Sequence, residues 1–294
     1  MEIRKITPQG FCNGVIRAMA LINKNLDNAR VKKPIYMYGG LVHNKHIINS
    51  YRNKGIQVID DLDPITEGTV IITAHGVSDQ VIKKIKDKGL DIINATCFDV
   101  LKTHKLIKDK IKEGYDIIVY GKKSHPETKG LMGISDKILL IEKIEDIQDL
   151  KIDNPKLVFT TQTTMSYFEV KKILNELLIK YPNIESYEEI CSATKDRQQA
   201  LISQVKEVDL CIVVGDPTSN NTNKLKDVCV KFTKTPCIMV ESIEDLKNFD
   251  FTPYQIIGIT AGASTPTAIV NEIIIGLQNS DFSSHLNDDD YLSI

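Results

Sequence analysis

The sequence predicts an α/β fold built on parallel sheet, and three observations carry that prediction. Short β-branched apolar runs recur along the 294 residues, each ending in small or polar residues. Amphipathic helical stretches separate them, and no internal repeat or low-complexity tract interrupts the alternation before about residue 279. The runs are Pro34–Tyr38, Thr69–Thr73, Asp91–Asn94, Asp116–Tyr120, Lys156–Thr160, Leu210–Val214 and Ile256–Thr260. Continuous apolar runs of this length, with breakers on both sides, suit strands covered on both faces, the habit of parallel sheets. Between them, Ser78 is placed to cap a helix that carries Val81, Ile82 and Ile85 and ends at Gly89. Val100, Leu101, His104, Ile107 and Ile111 share one helical face that runs to Gly114. Ser166 and Glu169 form a capping-box pattern, opening a helix that runs to about Lys180, just before Pro182.

Composition narrows the function. Hydrophobic residues make up 42% and charged residues 26%, enough for a packed core and unlike a disordered chain. Lys and Arg number 37 against 39 Asp and Glu, a net charge of −2. This balance gives no electrostatic footprint for nucleic acid and no polybasic membrane surface. The start Met1-Glu2-Ile3-Arg4-Lys5-Ile6 lacks the apolar core of a signal peptide, and no apolar run is long enough to cross a bilayer. A cytoplasmic location is expected. At ~150 residues per domain the length suits about two domains, with one or three allowed.

In open parallel sheets, ligands bind beyond the carboxyl ends of the strands. There the sequence places Gly39-Gly40-Leu41-Val42-His43-Asn44, Ala74-His75-Gly76, Ser124-His125-Pro126-Glu127 and Thr161-Gln162-Thr163-Thr164. Two later segments, Gly215 to Asn223 and Ala261 to Pro266, supply more hydroxyls and amides. Cys12, Cys97 and Cys191 occupy the same kind of position among small polar neighbours, separated by 85 and 94 residues. That spacing suggests three α/β units of similar size, each presenting one cysteine. They are expected at residues 13–96, 97–190 and 191–278, with an N-terminal strand in 1–12 packing on the third and a mobile tail over 279–294. Cys211, Cys229 and Cys237 lie in apolar surroundings and are expected as core packing. Three thiolates brought from separate units suit a metal centre that keeps one coordination position open.

The ordered series resembles one family closely. Gly10-Phe11-Cys12-Asn13-Gly14-Val15, Leu41-Val42-His43-Asn44, Ala74-His75-Gly76-Val77-Ser78 and Ala95-Thr96-Cys97 come first. Ser124-His125-Pro126-Glu127, Thr161-Gln162-Thr163-Thr164, Ile190-Cys191-Ser192-Ala193-Thr194 with Arg197-Gln198, and Thr260-Ala261-Gly262-Ala263-Ser264 follow. Over about residues 1–278 the chain resembles the 4-hydroxy-3-methylbut-2-enyl diphosphate reductases, which close the methylerythritol phosphate route to isoprenoids. The resemblance implies a cloverleaf of three α/β units around a 4Fe-4S cluster held by Cys12, Cys97 and Cys191, with the fourth iron open. It implies reduction by two electrons and two protons, removing an allylic hydroxyl as water to give isopentenyl and dimethylallyl diphosphate. His43, His75, His125, Thr163, Ser219, Asn220, Asn221 and Ser264 would hold substrate, and Glu127 would deliver a proton beside His125 and Thr163. A ferredoxin or flavodoxin would donate the electrons.

Elementary chemistry agrees with these roles. Hydroxyls, amides, imidazoles and helix N-termini all donate to diphosphate oxygens. A neutral-pH proton donor such as Glu127 needs its pKa raised by burial, and nearby histidines are expected to oppose that rise. Two departures stand out: Phe98 follows Cys97 where many relatives have Pro, and Asn220 stands where relatives often have Ser. Asp216 would oppose phosphate if it faced it, so it is expected to point away. Taken without the resemblance, the residues leave two other functions open: a cysteine-dependent hydrolase or transferase using one thiolate, and a non-redox phosphometabolite-binding protein. Either would form no iron–sulfur centre.

Overall fold

The computed structural model describes all residues from Met1 to Ile294. It contains three four-stranded parallel sheets, β1–β12, connected through ten helices, α1–α10. β1 (Glu2–Lys5) and α1 (Asn13–Leu26) open the chain, followed by β2 (Ile35–Tyr38), α2 (Lys45–Asn53), β3 (Ile56–Ile59), β4 (Thr69–Ile72), α3 (Asp79–Asp87) and β5 (Asp91–Asn94). Next come α4 (Phe98–Lys112), β6 (Asp116–Tyr120), α5 (Pro126–Met132), β7 (Ile138–Ile141), β8 (Leu157–Thr161), α6 (Tyr167–Lys180) and β9 (Glu185–Tyr187). The last stretch holds α7 (Ser192–Gln204), β10 (Leu210–Val214), α8 (Asn220–Phe232), β11 (Cys237–Val240), β12 (Ile256–Ala261), α9 (Thr267–Asn279) and α10 (Asp288–Leu292). Strand orders are β3-β2-β4-β5, β7-β6-β8-β9 and β1-β12-β10-β11. β1 pairs with β12 with Glu2 opposite Ile256. No helix is long and apolar enough to cross a membrane.

The seven apolar runs read from the sequence are the six central strands and the edge strand β5. β4, β8 and β10 are buried along their whole length, so both faces select Val, Ile, Leu or Phe. Edge strands β3, β7, β9 and β11 are half-buried, with short or mixed patterns such as Glu185-Ser186-Tyr187, and the sequence reading did not mark them. Helix starts follow local chemistry. Ser78 Oγ accepts the Val81 N–H at α3, and Ser166 Oγ accepts the Glu169 N–H at α6. Glu169 also accepts the Tyr120 hydroxyl at 3.3 Å, so this acid serves the sheet as well as its helix.

The chain forms two compact units: Met1–Ala20, Gly40–Val58 and Ser192–Ile294 in one, Leu21–Gly39 and Ile59–Cys191 in the other. The sequence spacing suggested three segments, and there are three sheets, but the boundary between the units passes through α1 and β3. In the unit with both termini, Leu210, Ile212, Ile257, Ile259, Ile269 and Ile273 lie at the centre of the core. In the middle unit, Ile118, Phe159, Val170 and Leu177 pack on one face of β6 and β8, while Ile107, Ile117, Val119 and Val158 pack on the other. Each such fully buried side chain contributes roughly 1.5–3 kcal/mol of transfer free energy.

The tail, expected to be mobile, holds a short helix with contacts to α2. Asn287 caps α10 in a full capping box with Asp290, and Asp288 accepts from Ser50 Oγ at 3.0 Å and Asn53 Nδ2 at 2.6 Å. Tyr291 stacks on His46 with ring centroids 4.6 Å apart, and Leu292 is buried. The run Asp288-Asp289-Asp290 looked like a solvated segment. It lies at a helix N-terminus, where acids are favoured, and faces donors on α2.

Candidate functional site

Each predicted cysteine ligand stands immediately before a helix. Cys12 precedes α1, Cys97 is the N-cap of α4, and Cys191 precedes α7. The backbone anchoring repeats as well. Cys12 N–H donates to Ala263 O at 3.1 Å, Cys97 N–H to Ala74 O at 3.0 Å, and Cys191 N–H to Thr163 O at 3.1 Å. Ala263, Ala74 and Thr163 each lie two residues beyond the end of a central strand, β12, β4 and β8. The three positions are equivalent in the three sheets. None of the three is in a disulfide, and all three are half-buried. A thiol is a soft-metal donor, so each of the three residues is chemically suited to hold such a metal. Phe98 takes the first helical position after Cys97, so α4 starts there without a proline.

In the middle unit, α5 begins with His125 as N-cap, Pro126 at its first position and Glu127 in its first turn. His125 Nδ1 accepts the Glu127 N–H at 3.2 Å. That bond uses the Nδ1 lone pair, so the capping form of His125 is the neutral Nε2–H tautomer. Its Nε2–H remains a donor. His75, after β4, meets His125 edge-on with ring centroids 5.2 Å apart. Glu127 is 2% exposed and receives two hydrogen bonds from Thr163, N–H to Oε1 at 2.7 Å and Oγ1–H to Oε2 at 2.9 Å. Burial pushes its pKa up to about 7, Thr163 opposes the rise through both donors, and the charge of Asp99 adds to it. The opposition expected from histidines comes from Thr163.

In the unit with both termini, Ser219 caps α8 with Oγ accepting the Thr222 N–H, and Asn220 and Asn221 form its first turn. Ser264 Oγ lies 3.3 Å from Ser219 Oγ and 3.2 Å from His43 O. Asn221 spans two elements, its Nδ2 donating to Thr194 Oγ1 at 2.9 Å and its Oδ1 accepting the Ala263 N–H at 3.1 Å. Ser219, Asn220, Asn221 and Ser264 are all under 8% exposed. Hydroxyls and amides at the start of a 13-residue helix suit an anion. Asp216 is occupied elsewhere: Oδ1 accepts Thr218 N–H at 2.7 Å and Oγ1–H at 2.5 Å, and Oδ2 accepts Lys45 N–H at 3.0 Å. Burial raises its pKa, but these donors outweigh it and hold the carboxyl below its ordinary range.

Sequence reasoning left two bracing residues without a role. Buried Arg197 donates to Gly10 O at 2.7 Å and to Ala193 O at 2.8 Å, fixing the turn that leads to Cys12, where Gly10 adopts φ +70°. Gln162 accepts Lys122 N–H and Thr128 Oγ1–H and donates to Thr164 Oγ1, locking the ends of β6 and β8 together. Both residues stood in the quoted motifs, and a buried charge or amide there was the available signal. Lys122 and Lys123, beside the Ser124-His125 segment, are exposed to solvent. One metal-capable group went unmarked: Cys211, Cys229 and Cys237, whose sulfurs lie within 4.8 Å of one another.

Comparison with known proteins agrees with this picture. The sequence model of the family described as LytB protein matches residues 3–278. Proteins named 4-hydroxy-3-methylbut-2-enyl diphosphate reductase from Brevibacillus brevis and Geobacillus kaustophilus are 43% and 44% identical over 288 residues, spanning 96% of this chain and 93% and 91% of theirs. The solved E-1-hydroxy-2-methyl-but-2-enyl-4-diphosphate reductase of Plasmodium falciparum matches with a TM-score of 0.90 at 32% identity, over 97% of this chain and 93% of that one. A second solved reductase, described as the terminal enzyme of the non-mevalonate pathway, matches with a TM-score of 0.68 at 29% identity, over 95% of this chain and 100% of that one. Fold, motif order and relatives converge, and the chain belongs to the LytB protein family.

Proposed function

We propose that this chain is a 4-hydroxy-3-methylbut-2-enyl diphosphate reductase, acting in the last step of the non-mevalonate route to isoprenoids. Two electrons and two protons cleave the allylic C–O bond, the oxygen leaves as water, and isopentenyl and dimethylallyl diphosphate result. The observation that supports this most directly is Glu127, a buried carboxyl with a pKa of about 7 held by Thr163. A hydroxide is a poor leaving group, and a proton supplied as the bond breaks lowers that barrier.

In this reading Cys12, Cys97 and Cys191 hold a 4Fe-4S cluster. When bound, it supplies the electrons and a Lewis-acidic iron for the alcohol oxygen. The surrounding residues do the rest. Thr163 fixes both oxygens of Glu127 and relays position between the acid and the Cys191 backbone. His125 starts the helix that carries Glu127, and its Nε2–H and the ring of His75 are donors for a diphosphate or alcohol oxygen. Ser219, Asn220, Asn221, Ser264 and His43 take the diphosphate through hydroxyl, amide and imidazole donors at the start of α8. Asp216 stays an anion, but its oxygens are taken by three donors from Thr218 and the Lys45 backbone and turn away from that pocket's donors. A ferredoxin or flavodoxin supplies the electrons in the cytoplasm.

The test is anaerobic turnover of the hydroxylated diphosphate with a strong artificial reductant, alongside iron, sulfide and visible absorbance measurements. Both isoprenoid diphosphates are expected as products. A chain that assembles no iron–sulfur centre after reconstitution, or that turns over nothing with the centre in place, refutes the reading.

A further inference from the structure

Three cysteines that play no part in the proposed reaction come together in the unit with both termini. Cys211 lies in β10 and Cys237 opens β11, and the two are direct partners in the parallel register. Cys229 lies in the last turn of α8. Their three sulfur atoms lie within 4.8 Å of one another. Cys211 and Cys229 are fully buried, and Cys237 is half-buried on a strand at the sheet edge. The contacts that hold these sulfurs are long: Cys229 Sγ is 3.9 Å from Thr235 O and 3.6 Å from Thr233 Oγ1, and Cys237 Sγ is 3.9 Å from Ile238 O.

We propose that Cys211, Cys229 and Cys237 form a second metal site in this chain, built of residues other than the three helix-start cysteines, for a thiophilic d10 cation of the zinc(II) class bound through three sulfurs. Zn–S bonds of ~2.3 Å place sulfurs in a tetrahedral site ~3.8 Å apart, so shifts of less than about 1 Å close the present triad around an ion. The donor set is all sulfur, which selects against magnesium and calcium and for zinc or copper(I). The C-terminal turn of α8 contributes negative potential, which favours a cation over a simple apolar filling. Cys237, at the half-buried edge, gives the ion its way in. Binding converts three thiols to three thiolates, releasing three protons and leaving one negative charge on the zinc complex. The loop from Thr233 to Pro236, between α8 and β11, braces the site: Thr235 Oγ1 donates to Val205 O and Pro236 O accepts the Cys211 N–H.

The experiment separates this triad from the cluster ligands. Full-length protein carrying Cys12→Ser, Cys97→Ser and Cys191→Ser, reduced and kept free of oxygen, is dialysed against zinc(II) alone. One zinc per chain is expected to remain. Adding Cys237→Ala or Cys229→Ala is expected to weaken retention by more than the ~10–100-fold that losing an outer-shell partner of a metal typically costs. Because those variants can lose stability, unmodified holoenzyme provides a second readout, the alkylation rate of Cys237 followed by peptide mass spectrometry. Zinc is expected to slow that rate. Zinc held no more tightly than by the Cys237→Ala chain, or alkylation of Cys237 indifferent to zinc, overturns the site. Either result leaves the reductase reading standing, because that reading is tested by turnover.

Discussion

Glu127 and Asp216 are both buried carboxyls beside segments proposed to touch substrate, at 2% and 5% exposure, yet they are held in opposite states. Asp216 collects three donors, two from Thr218 and one from the Lys45 backbone, and its pKa falls below the ordinary value. Glu127 collects two, both from Thr163, lies deeper, and rises to about 7. Burial pushes both upward but weighs most on the deeper Glu127, where the charge of Asp99 adds to it; at Asp216 three donors and the charge of His43 outweigh it. The contrast teaches that one carboxyl is a fixed anion that shapes a loop, while the other, with a pKa of about 7, exchanges its proton near neutrality, as the proposed role requires.

The largest effect should follow removal of the carrier. Glu127→Gln keeps the shape and an acceptor for the Thr163 N–H, so iron content and far-UV spectrum should match the parent. Turnover should drop by about 10²–10⁴, the usual contribution of a general acid, equivalent to about 3–5 kcal/mol of barrier. Anaerobic steady-state assays measure this, and near-parental turnover would erase the functional side of the contrast.

Proton linkage gives the next effect, and its sign differs between the two residues. Glu127 has a folded pKa near 7 against an ordinary 4.5, so the native state keeps its proton over a range where the unfolded chain has lost it. Stability is full below the unfolded pKa and declines as pH rises toward 7, by about 3 kcal/mol over the whole interval. Glu127→Gln should therefore gain stability over the parent at pH 8 and little at pH 4, read from urea midpoints. Asp216 behaves in the reverse sense. Its depressed pKa stabilises the fold above the unfolded value, and that contribution disappears as pH falls through the folded value. Asp216→Asn cannot accept all three hydrogen bonds and should cost about 1–3 kcal/mol at pH 7, with the difference shrinking in acid. Parallel pH profiles for the two variants would break the comparison.

What the sequence disclosed follows the same physical logic. Central strands were legible because burial on both faces forces continuous apolar runs, as in Leu210–Val214. The edge strand Glu185–Tyr187 was not, since one face answers to solvent. Cys12, Cys97 and Cys191 announced themselves by small polar neighbours at strand ends, which in the structure are helix starts. Glu127 gained its role from the family resemblance, and its tuning by Thr163, 36 residues away, needed the fold. Cys211, Cys229 and Cys237 look like packing in sequence because each sits in an apolar run. Only the parallel register of β10 and β11 and the end of α8 bring their sulfurs together. The tail misled for a related reason: acids that cap a helix and bind α2 have the composition of a solvated segment.

The smallest effect is the sharpest probe of the contrast, because it alters donors and leaves the carboxyl in place. Thr163 lowers the Glu127 pKa through its N–H and its hydroxyl, against burial, which raises it. Thr163→Val deletes the hydroxyl donor at 2.9 Å and keeps the N–H donor at 2.7 Å. With one donor gone, Glu127 moves further from the state of Asp216, and its pKa should rise again. The alkaline limb of the turnover profile should shift to higher pH by about one unit or less, since one such hydrogen bond is worth about 1 kcal/mol. Turnover well below the limb should fall only modestly, because the acid is already protonated there. A limb that stays in place would mean that the group titrating near neutrality is not the carboxyl Thr163 holds, and the donors would no longer count among the reasons the two acids differ.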